Sequence, residues 1–578
     1  MRKNEIAEIL EEIATLLELK GENPFRVRAY RNGARALLNI DEDLSDVIKA
    51  GKLLDYEGIG EHLAEKITEL HQNGKLPYYE KLKKETPPGL LELMQVQGLG
   101  PKKVKLLYQK LKIRSIEDLK KAALAGEIAK LKGFGAKTEK NILNSLEHQS
   151  SYAKRTLWWD AWKVATEILE ELKKIKGVKE AEICGSLRRR LETIGDLDFL
   201  VGSDDPKPVV NWFLSKGAEV IAKGETKCSI RLKQGMQADL RIVPVKQFVY
   251  ALVYFTGSKE HNIKIRTISL KKGWSLSEYG FETEKKSAAI PKIKDEEGLY
   301  KALGLSYIPP ELRENLGEIE AAQKGTIPHL IEERDIRGTF HNHTTASDGR
   351  NNLKEMVEAA QKLGWEYLGI SDHSKSSVQA NGLSVERLLE QVEIIRKLNA
   401  SKKYKIRVFA GSEVDILPNG KLDFPDSVLK QLDFVIASVH SSLTQDEKTM
   451  TNRIIKALEH PLTTMLGHAT GRLLLRREPY SVNLAKVIDA AIANNKIIEL
   501  NGTPSRLDMD WRLWRQAAKK GLLCCINCDA HSADQLEYFR AGINAARKGW
   551  LTKKDVVNTL PLKQIIEYLS SGRATRRR

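Results

Sequence analysis

Long apolar runs are missing from this 578-residue chain. The longest, Phe248 to Phe255, has eight residues, far short of the roughly 20 that span a bilayer, so no membrane helix is expected. Cysteine is scarce. Five residues, an odd number, exclude a disulfide-built secreted scaffold and suit a reducing compartment. The opening MRKNEIAEILEEIATLLELK carries Glu throughout its apolar stretch. It reads as an amphipathic helix rather than a signal peptide, and a cytoplasmic location is expected. What is present is ordinary for folded protein: 41% hydrophobic and 30% charged residues. At roughly 150 residues per domain, the length predicts about four domains.

Charge is unbalanced. Lys and Arg number 94 against 77 Asp and Glu, a net +17, and such an excess favours a polyanionic partner, most simply nucleic acid. Its placement supports that reading. Gly58-Ile59-Gly60, Gly98-Leu99-Gly100 and Gly133-Phe134-Gly135 each follow a helical stretch and open another. Lysines follow each one: Lys66, then Lys102, Lys103 and Lys105, then Lys137 and Lys140. Glycine allows the tight turn and lets backbone N–H groups approach a phosphate at a helix N-terminus without reading base sequence. One such turn is commonplace, but three with following lysines resemble helix-hairpin-helix motifs that bind DNA.

After Ser150 the texture changes. Residues 151–176 read as one amphipathic helix, and the short β runs AEICG, DLDFLVG and ADLRIVPV follow. Residues 318–335 are polar, contain Gly325 and Pro328, and read as a linker. Beyond Arg337, seven apolar runs recur between helical segments: GTFHNH, YLGISDH, RVFAGSE, FVIASVH, TMLGH, KIIELNG and LLCCINCDAH. That alternation predicts a parallel or barrel-like sheet.

The first chemical constellation centres on Asp196 and Asp198. A spacing of two places both carboxylates on one sheet face, and Asp239 adds a third on a later strand. Three acids on one face repel unless cations lie between them. Two Mg²⁺ would satisfy them and clamp a triphosphate for in-line displacement. Gly185 and Ser186 end a strand about ten residues earlier and open a helix with Arg188, Arg189 and Arg190. Ser186, nearby amides and Arg189 would hold the phosphates.

The segments CGSLRRRLETIGDLDFLVG, ADLRIVP and YFTGSKEHNIKIR resemble the family X DNA polymerases, the relatives of DNA polymerase beta, over residues 1–317. The resemblance implies a dNTP substrate and further contacts. Tyr254, Phe255 and Gly257 match the sugar-discriminating turn. Asn262 and Arg266 match contacts to the incoming nucleotide and the template strand, and Arg155 matches a triphosphate contact. Lys66 falls where members with lyase activity carry a Schiff-base lysine. It is read first as a phosphate contact on a solvated helix face, with lyase chemistry as the alternative, because His62 replaces a lysine at a nearby family position.

The second constellation is histidine-rich. Seven of 12 histidines lie between 341 and 531, most at the end of a predicted strand. His341, His343, Asp348, His373, Glu413, His440, His468, Asp529 and His531 would converge on one rim of a strand-helix barrel and need a metal cluster to compensate them. His460 is assigned outside the set. Cys524, Cys525 and Cys528 lack the second cysteine pair that a zinc site requires and read as buried strand residues. The pattern resembles the PHP (polymerase and histidinol phosphatase) domain. This implies a distorted seven-stranded (β/α) barrel with up to three Zn²⁺ or Mn²⁺, which would lower the pKa of a water to about 7 and aim it at phosphorus. Arg472 is read as a candidate neutraliser of a substrate phosphate.

The expected architecture is multidomain, α+β and α/β. It comprises a helix-hairpin-helix, lyase-like domain at 1–85 and a fingers-like one at 86–150. A nucleotidyltransferase palm (151–255), a thumb (256–317), the linker (318–335) and a PHP barrel (336–578) follow. The expected function is filling of short DNA gaps in repair by a monomer, with 3′-5′ exonuclease activity in the barrel. The alternatives are a small-molecule phosphatase of histidinol-phosphate type and a DNA-binding scaffold with dead sites.

Overall fold

The computed structural model describes the whole chain apart from residues 2, 39, 41–43, 57, 88, 95, 97–98, 132, 136–137, 141, 144–145, 147–154, 284–289 and 575–578. Gly98, Lys137 and the terminal arginines 576–578 thus lie outside the described residues.

The described secondary structure before residue 150 is helical, with two cores. One gathers Ile6, Leu10, Ile13 and Leu17 of the opening helix, Lys3–Lys20, against Leu37, Ile67 and Leu70. These positions recur at helical spacing, as the amphipathic reading requires. The other is built on Leu93, Val104, Leu107 and Leu119.

Of the expected helix over 151–176, residues 151–154 lie outside the described residues, and among the rest the helix runs Trp158–Lys173. Before it, β1 (Thr156–Leu157) pairs with β3 (Thr193–Ile194). The neighbouring strand captures the backbone of Thr156 and Leu157, a competition that periodicity does not register. The palm sheet has the order β2-β4-β7-β6-β5, with β2 Glu180–Ile183, β4 Asp196–Gly202, β5 Glu219–Lys223, β6 Lys227–Arg231 and β7 Gln237–Val243. β4 and β7 are parallel neighbours. The apolar run at 248–255 forms a helix, Phe248–Thr256, and the small hairpin of β8 (Ser275–Ser277) and β9 (Gly280–Glu282) follows.

Residues 318–335 are not an open spacer. They begin with the helix Glu318–Gln323, whose Ile319 and Ala322 join Leu330 in the core beneath the hairpin, while Ile331 enters the barrel core. The polar composition concealed these few apolar anchors.

All seven expected barrel strands form, in sequential parallel order: β10 Gly338–Thr339, β11 Tyr367–Ile370, β12 Arg407–Asp415, β13 Phe434–Ser438, β14 Met465–Leu466, β15 Ile497–Asn501 and β16 Cys524–Asn527. A parallel bridge between Asn342 and Ala530 brings the first and last strands together. Phe340, Tyr367, Phe409 and Phe434 fill the interior. A Cβ on Gly411 would lie 2.3 Å from Phe434, so glycine makes room for that ring. Each buried aromatic contributes roughly 1.5–3 kcal/mol, and this layer is the floor on which the rim side chains stand. All five cysteines are free and buried.

Palm and barrel pack directly on each other. Trp159 meets Tyr538 edge-on, with ring centroids 5.5 Å apart, and Arg190 reaches Asn544 at 2.5 Å and Glu311 at 3.2 Å. Among the described residues, no helix is long and apolar enough to cross a membrane.

Two candidate metal centres

In the palm, Asp198 stands opposite Asp239 in the β4–β7 register, and Asp196 shares the strand face two residues earlier. One oxygen from each of the three lies within 4.8 Å of the others. Burial, then the charges of Asp196 and Asp239, push Asp198 up to about 7 against the pull of Arg189. Asp196 is raised by burial and then by Asp239. Acids held together at this cost fit a divalent cation. Gly185 is required where the sequence has it. Its φ is +61° and an added Cβ would lie 1.9 Å from Asp198 Oδ2. Ser186 follows it in the short helix Gly185–Arg188.

Arg155 borders the triad, donating from Nε to Thr193 Oγ1 at 2.8 Å and from Nη2 to Thr193 O at 2.5 Å. Tyr254 and Phe255 end the helix Phe248–Thr256, whose C-cap is Gly257. Asn262 Nδ2 donates to Tyr254 O at 2.7 Å, leaving its buried Oδ1 without a partner. Arg266 lines the same small pocket as Tyr254 and Asn262. Arg189 donates from Nε to Glu314 Oε1 at 3.1 Å and from Nη1 to Thr256 O at 2.6 Å.

At the hairpins, Gly60 caps the helix Glu61–Asn73 and Gly100 caps Pro101–Leu111. Gly58 and Gly133 adopt φ of +99° and +94°. A Cβ on Gly60, Gly100, Gly133 or Gly135 would meet nothing within 4 Å, so the backbone there is open to an approaching ligand. Lys66 lies apart from the triad, donating to His62 O at 3.1 Å and sitting 5.5 Å from the Tyr78 ring centre.

The barrel brings all nine expected side chains onto one rim, and eight of them fall in three overlapping groups of potential ligands. His343, Asp348, His373 and His531 form one; His341, His343 and Asp529 a second; His373, Glu413 and His440 a third. His468 Nε2 lies 2.9 Å from Glu413 Oε1. The donor set fits metals. Buried His341 Nε2, both ring nitrogens of His343, His373 Nδ1, Glu413 Oε2 and His468 Nδ1 have no hydrogen-bond partner, a cost that coordination would remove. Burial lowers His373 to about 3, keeping it in the neutral form that a ligand needs. His460 lies elsewhere, 3.2 Å from Asp426.

Arg472 is a correction. Buried, it donates from Nη1 to Asp510 at 2.9 Å and from Nη2 to Glu192 of the palm at 2.5 Å, with Nε on Arg506 O. Its buried guanidinium joins the domains, with four of its five N–H groups committed to protein acceptors. Arg506 takes the position expected of it, with Nε 3.3 Å from Asp529 Oδ2 and a buried, unpartnered Nη1. Nothing in the loop TPSRLD signals this. Two other supports had a signal. Glu499, an acid within the apolar run IIELN, accepts from His341 Nδ1 at 2.7 Å and from His468 N at 2.6 Å. Asp415, two residues after Glu413, lies 2.5 Å from His440 Nδ1. Such partners fix ring orientation and raise ligand basicity.

The opening helical domain meets the rim. Arg350 donates from Nη1 to Glu8 at 2.8 Å and from its backbone to His531 O at 2.6 Å. A cleft of about 1060 Å³ between them is lined by Arg28, Arg31, Lys375 and Asp348.

Two metal-ready sites of this kind, on a palm and on a PHP-type barrel, define a two-site nucleic-acid enzyme. Comparisons with known proteins agree domain by domain. Residues 1–76 match the helix-hairpin-helix domain and 90–147 the SAM-like helix-hairpin-helix tandem. Residues 251–314 match the DNA polymerase beta thumb and 339–503 the PHP domain. The chain belongs to the family X DNA polymerases that carry a C-terminal PHP domain. The DNA polymerase/3'-5' exonuclease PolX of Bacillus subtilis (strain 168) is 39% identical over 573 residues, 98% of this chain and 99% of that protein. DNA polymerase lambda of Rattus norvegicus is 24% identical over 344 residues, covering 54% of this chain and 56% of its own. A probable phosphatase of Thermoanaerobacter sp. (strain X514) is 27% identical over 244 residues, 40% of this chain and 92% of its own.

Proposed function

We propose that this protein is a DNA-directed DNA polymerase that fills short gaps during repair, and that its barrel removes nucleotides from 3′ ends. The observation that carries the polymerase reading is the register of Asp198 opposite Asp239, with Asp196 on the same face. Asp196, Asp198 and Asp239 would hold Mg²⁺, which supplies charge neutralisation for a triphosphate and an attacking 3′-oxygen. Arg155, Ser186 and Arg189 bind the triphosphate. Tyr254 and Phe255, at the turn before Gly257, crowd a ribose 2′-OH, while Asn262 and Arg266 hold the base-paired nucleotide and the template. The glycine turns at Gly58–Gly60, Gly98–Gly100 and Gly133–Gly135 meet DNA phosphates, so binding is salt-sensitive and independent of sequence. Lys66 contributes a further phosphate contact.

In the barrel, His341, His343, Asp348, His373, Glu413, His440, His468, Asp529 and His531 would hold Zn²⁺ or Mn²⁺, which supplies Lewis acidity toward a phosphodiester. Glu499 and Asp415 orient their imidazoles, and Arg506 offers its free Nη1 to substrate phosphate. Likeness to a probable phosphatase supports phosphoester hydrolysis as the barrel's chemistry. A small-molecule phosphatase would leave the helix-hairpin-helix domains without a use. The protein acts as a monomer on gapped duplex.

The test is a labelled gapped duplex incubated with and without dNTPs, in Mg²⁺ and then Mn²⁺. Extension to fill the gap with dNTPs, and 3′ shortening without them, is the expected result. Equal affinity for gapped and intact duplex would remove the gap-filling role.

A further inference from the structure

The barrel helix Phe539–Lys548 grips the palm loop that carries Arg189. Lys548, with its side chain fully buried, donates from Nζ to Arg189 O at 2.9 Å, Glu311 O at 3.2 Å and Glu314 Oε1 at 2.8 Å. That same Glu314 oxygen accepts from Arg189 Nε at 3.1 Å. One carboxylate therefore serves two cations, one from each catalytic half of the chain. Neighbouring residues fasten the same loop. Arg190 adopts φ of 58° and bonds Asn544, and Glu311 joins Arg190 to Arg547. Nothing in the triad or the rim chemistry requires this contact.

We propose that Lys548 and Glu314 are positioning residues for the polymerase reaction: the barrel sets, through Glu314, how freely the Arg189 guanidinium turns to an incoming triphosphate. The inference rests on reading Arg189 as a triphosphate contact. Glu314 and the triphosphate compete for one guanidinium. Lys548 neutralises part of the Glu314 charge and so weakens its hold on Arg189. Remove Lys548, and Glu314 is left with Arg189 as its cation, which binds it more tightly against the nucleotide. Remove the charge of Glu314, and Arg189 is held chiefly by its bond to Thr256 O, so it turns more freely.

The two substitutions therefore act in opposite directions, which a merely structural role would not produce. In single-nucleotide gap filling by the full chain, Lys548→Met should raise the KM for dNTP about fivefold with kcat little changed, a size typical of coupling through packed networks. Glu314→Gln should lower it by about the same factor. The double variant should match Glu314→Gln alone, because Lys548 acts through that carboxylate. Lys548→Arg keeps the charge and should restore the native KM. Resection of a 3′ end should persist in all four proteins, and it reports that the barrel is folded and docked. A rise in KM for both single variants, or a double variant that retains the Lys548→Met increase, overturns the relay. Arg189→Ala separates the two readings. If it raises KM while Lys548→Met and Glu314→Gln leave KM unchanged, the relay alone is wrong. If Arg189→Ala leaves KM unchanged, the triphosphate contact fails and the relay with it. Should Lys548→Met lose resection through poor docking, Glu314→Gln decides, and an unchanged KM there overturns the proposal.

Discussion

Asp198 and Asp239 face each other across adjacent parallel strands, and the half-buried Asp198 is raised to about 7. The palm thus keeps a carboxylate face that is unfavourable until a cation arrives.

The sign of the pH effect follows. The ordinary value for an aspartate is 3.8, and in the folded protein Asp198 rises to about 7. Between those values the folded state holds a proton that the unfolded chain has lost, so stability falls as pH rises through this window and stays low above it. Asp198→Asn should therefore stabilise the metal-free protein at pH 8 by up to about 4 kcal/mol, at roughly 1.4 kcal/mol per unit, and change little at pH 4. Amide exchange of β4 and β7 in EDTA measures it. No gain at pH 8 would show that folding does not raise the Asp198 carboxyl.

Loss of one activity should leave the other. Asp198→Ala should abolish nucleotide addition and spare 3′ resection, while His343→Ala, which removes a side chain shared by two ligand groups, should do the reverse. Both activities are read on one labelled gapped substrate after circular dichroism confirms folding. Resection surviving in His343→Ala but lost in Asp198→Ala would move the nuclease to the palm.

Arg506 and Arg472 should behave differently. Arg506→Ala removes the unpartnered Nη1 beside Asp529 and should slow resection at least about tenfold, in the range for loss of a transition-state donor, with metal content unchanged by elemental analysis. Arg472→Ala breaks the bond to Glu192 and should loosen palm–barrel docking, seen as faster amide exchange along that interface. An Arg472→Ala protein with native exchange there would discount the docking role.

Chelation should affect the barrel more than the palm. Stripping metal leaves several rim nitrogens buried and without a hydrogen bond, so the rim should exchange amides faster and the barrel should melt lower. Adding Mg²⁺ back should restore nucleotide addition, whereas resection should need Mn²⁺ or Zn²⁺. Recovery of resection by Mg²⁺ alone would count against the imidazole-rich ligand set.

Gly100→Val tests the hairpins. Gly100 has an extended φ of −101° and open space where a Cβ would point, so folding should be nearly unaffected. The added bulk should block a phosphate and weaken duplex binding about tenfold, roughly the worth of one charge-assisted contact. Unchanged affinity in a salt titration would show that this turn does not touch DNA.

By itself, the sequence determined the repeated elements and the candidate ligands. Each barrel strand announced itself as an apolar run between helices, and His341, His373, His440 and His468 stood near the ends of such runs, because strand spacing fixes which side chains reach the rim. The spacing of Asp196 and Asp198 likewise fixed a shared face. Tertiary structure decided which residues support the ligands and how the halves meet. Arg472 and Arg506 are both loop arginines, and only their surroundings separate an interdomain tie from a free donor. Residues 318–335 read as polar, yet Ile319, Ala322 and Leu330 dock them, since burial depends on what lies opposite. Lys548 and Glu314 are 234 residues apart. Their contact belongs to no local pattern and exists because the packing of the barrel on the palm brings them together.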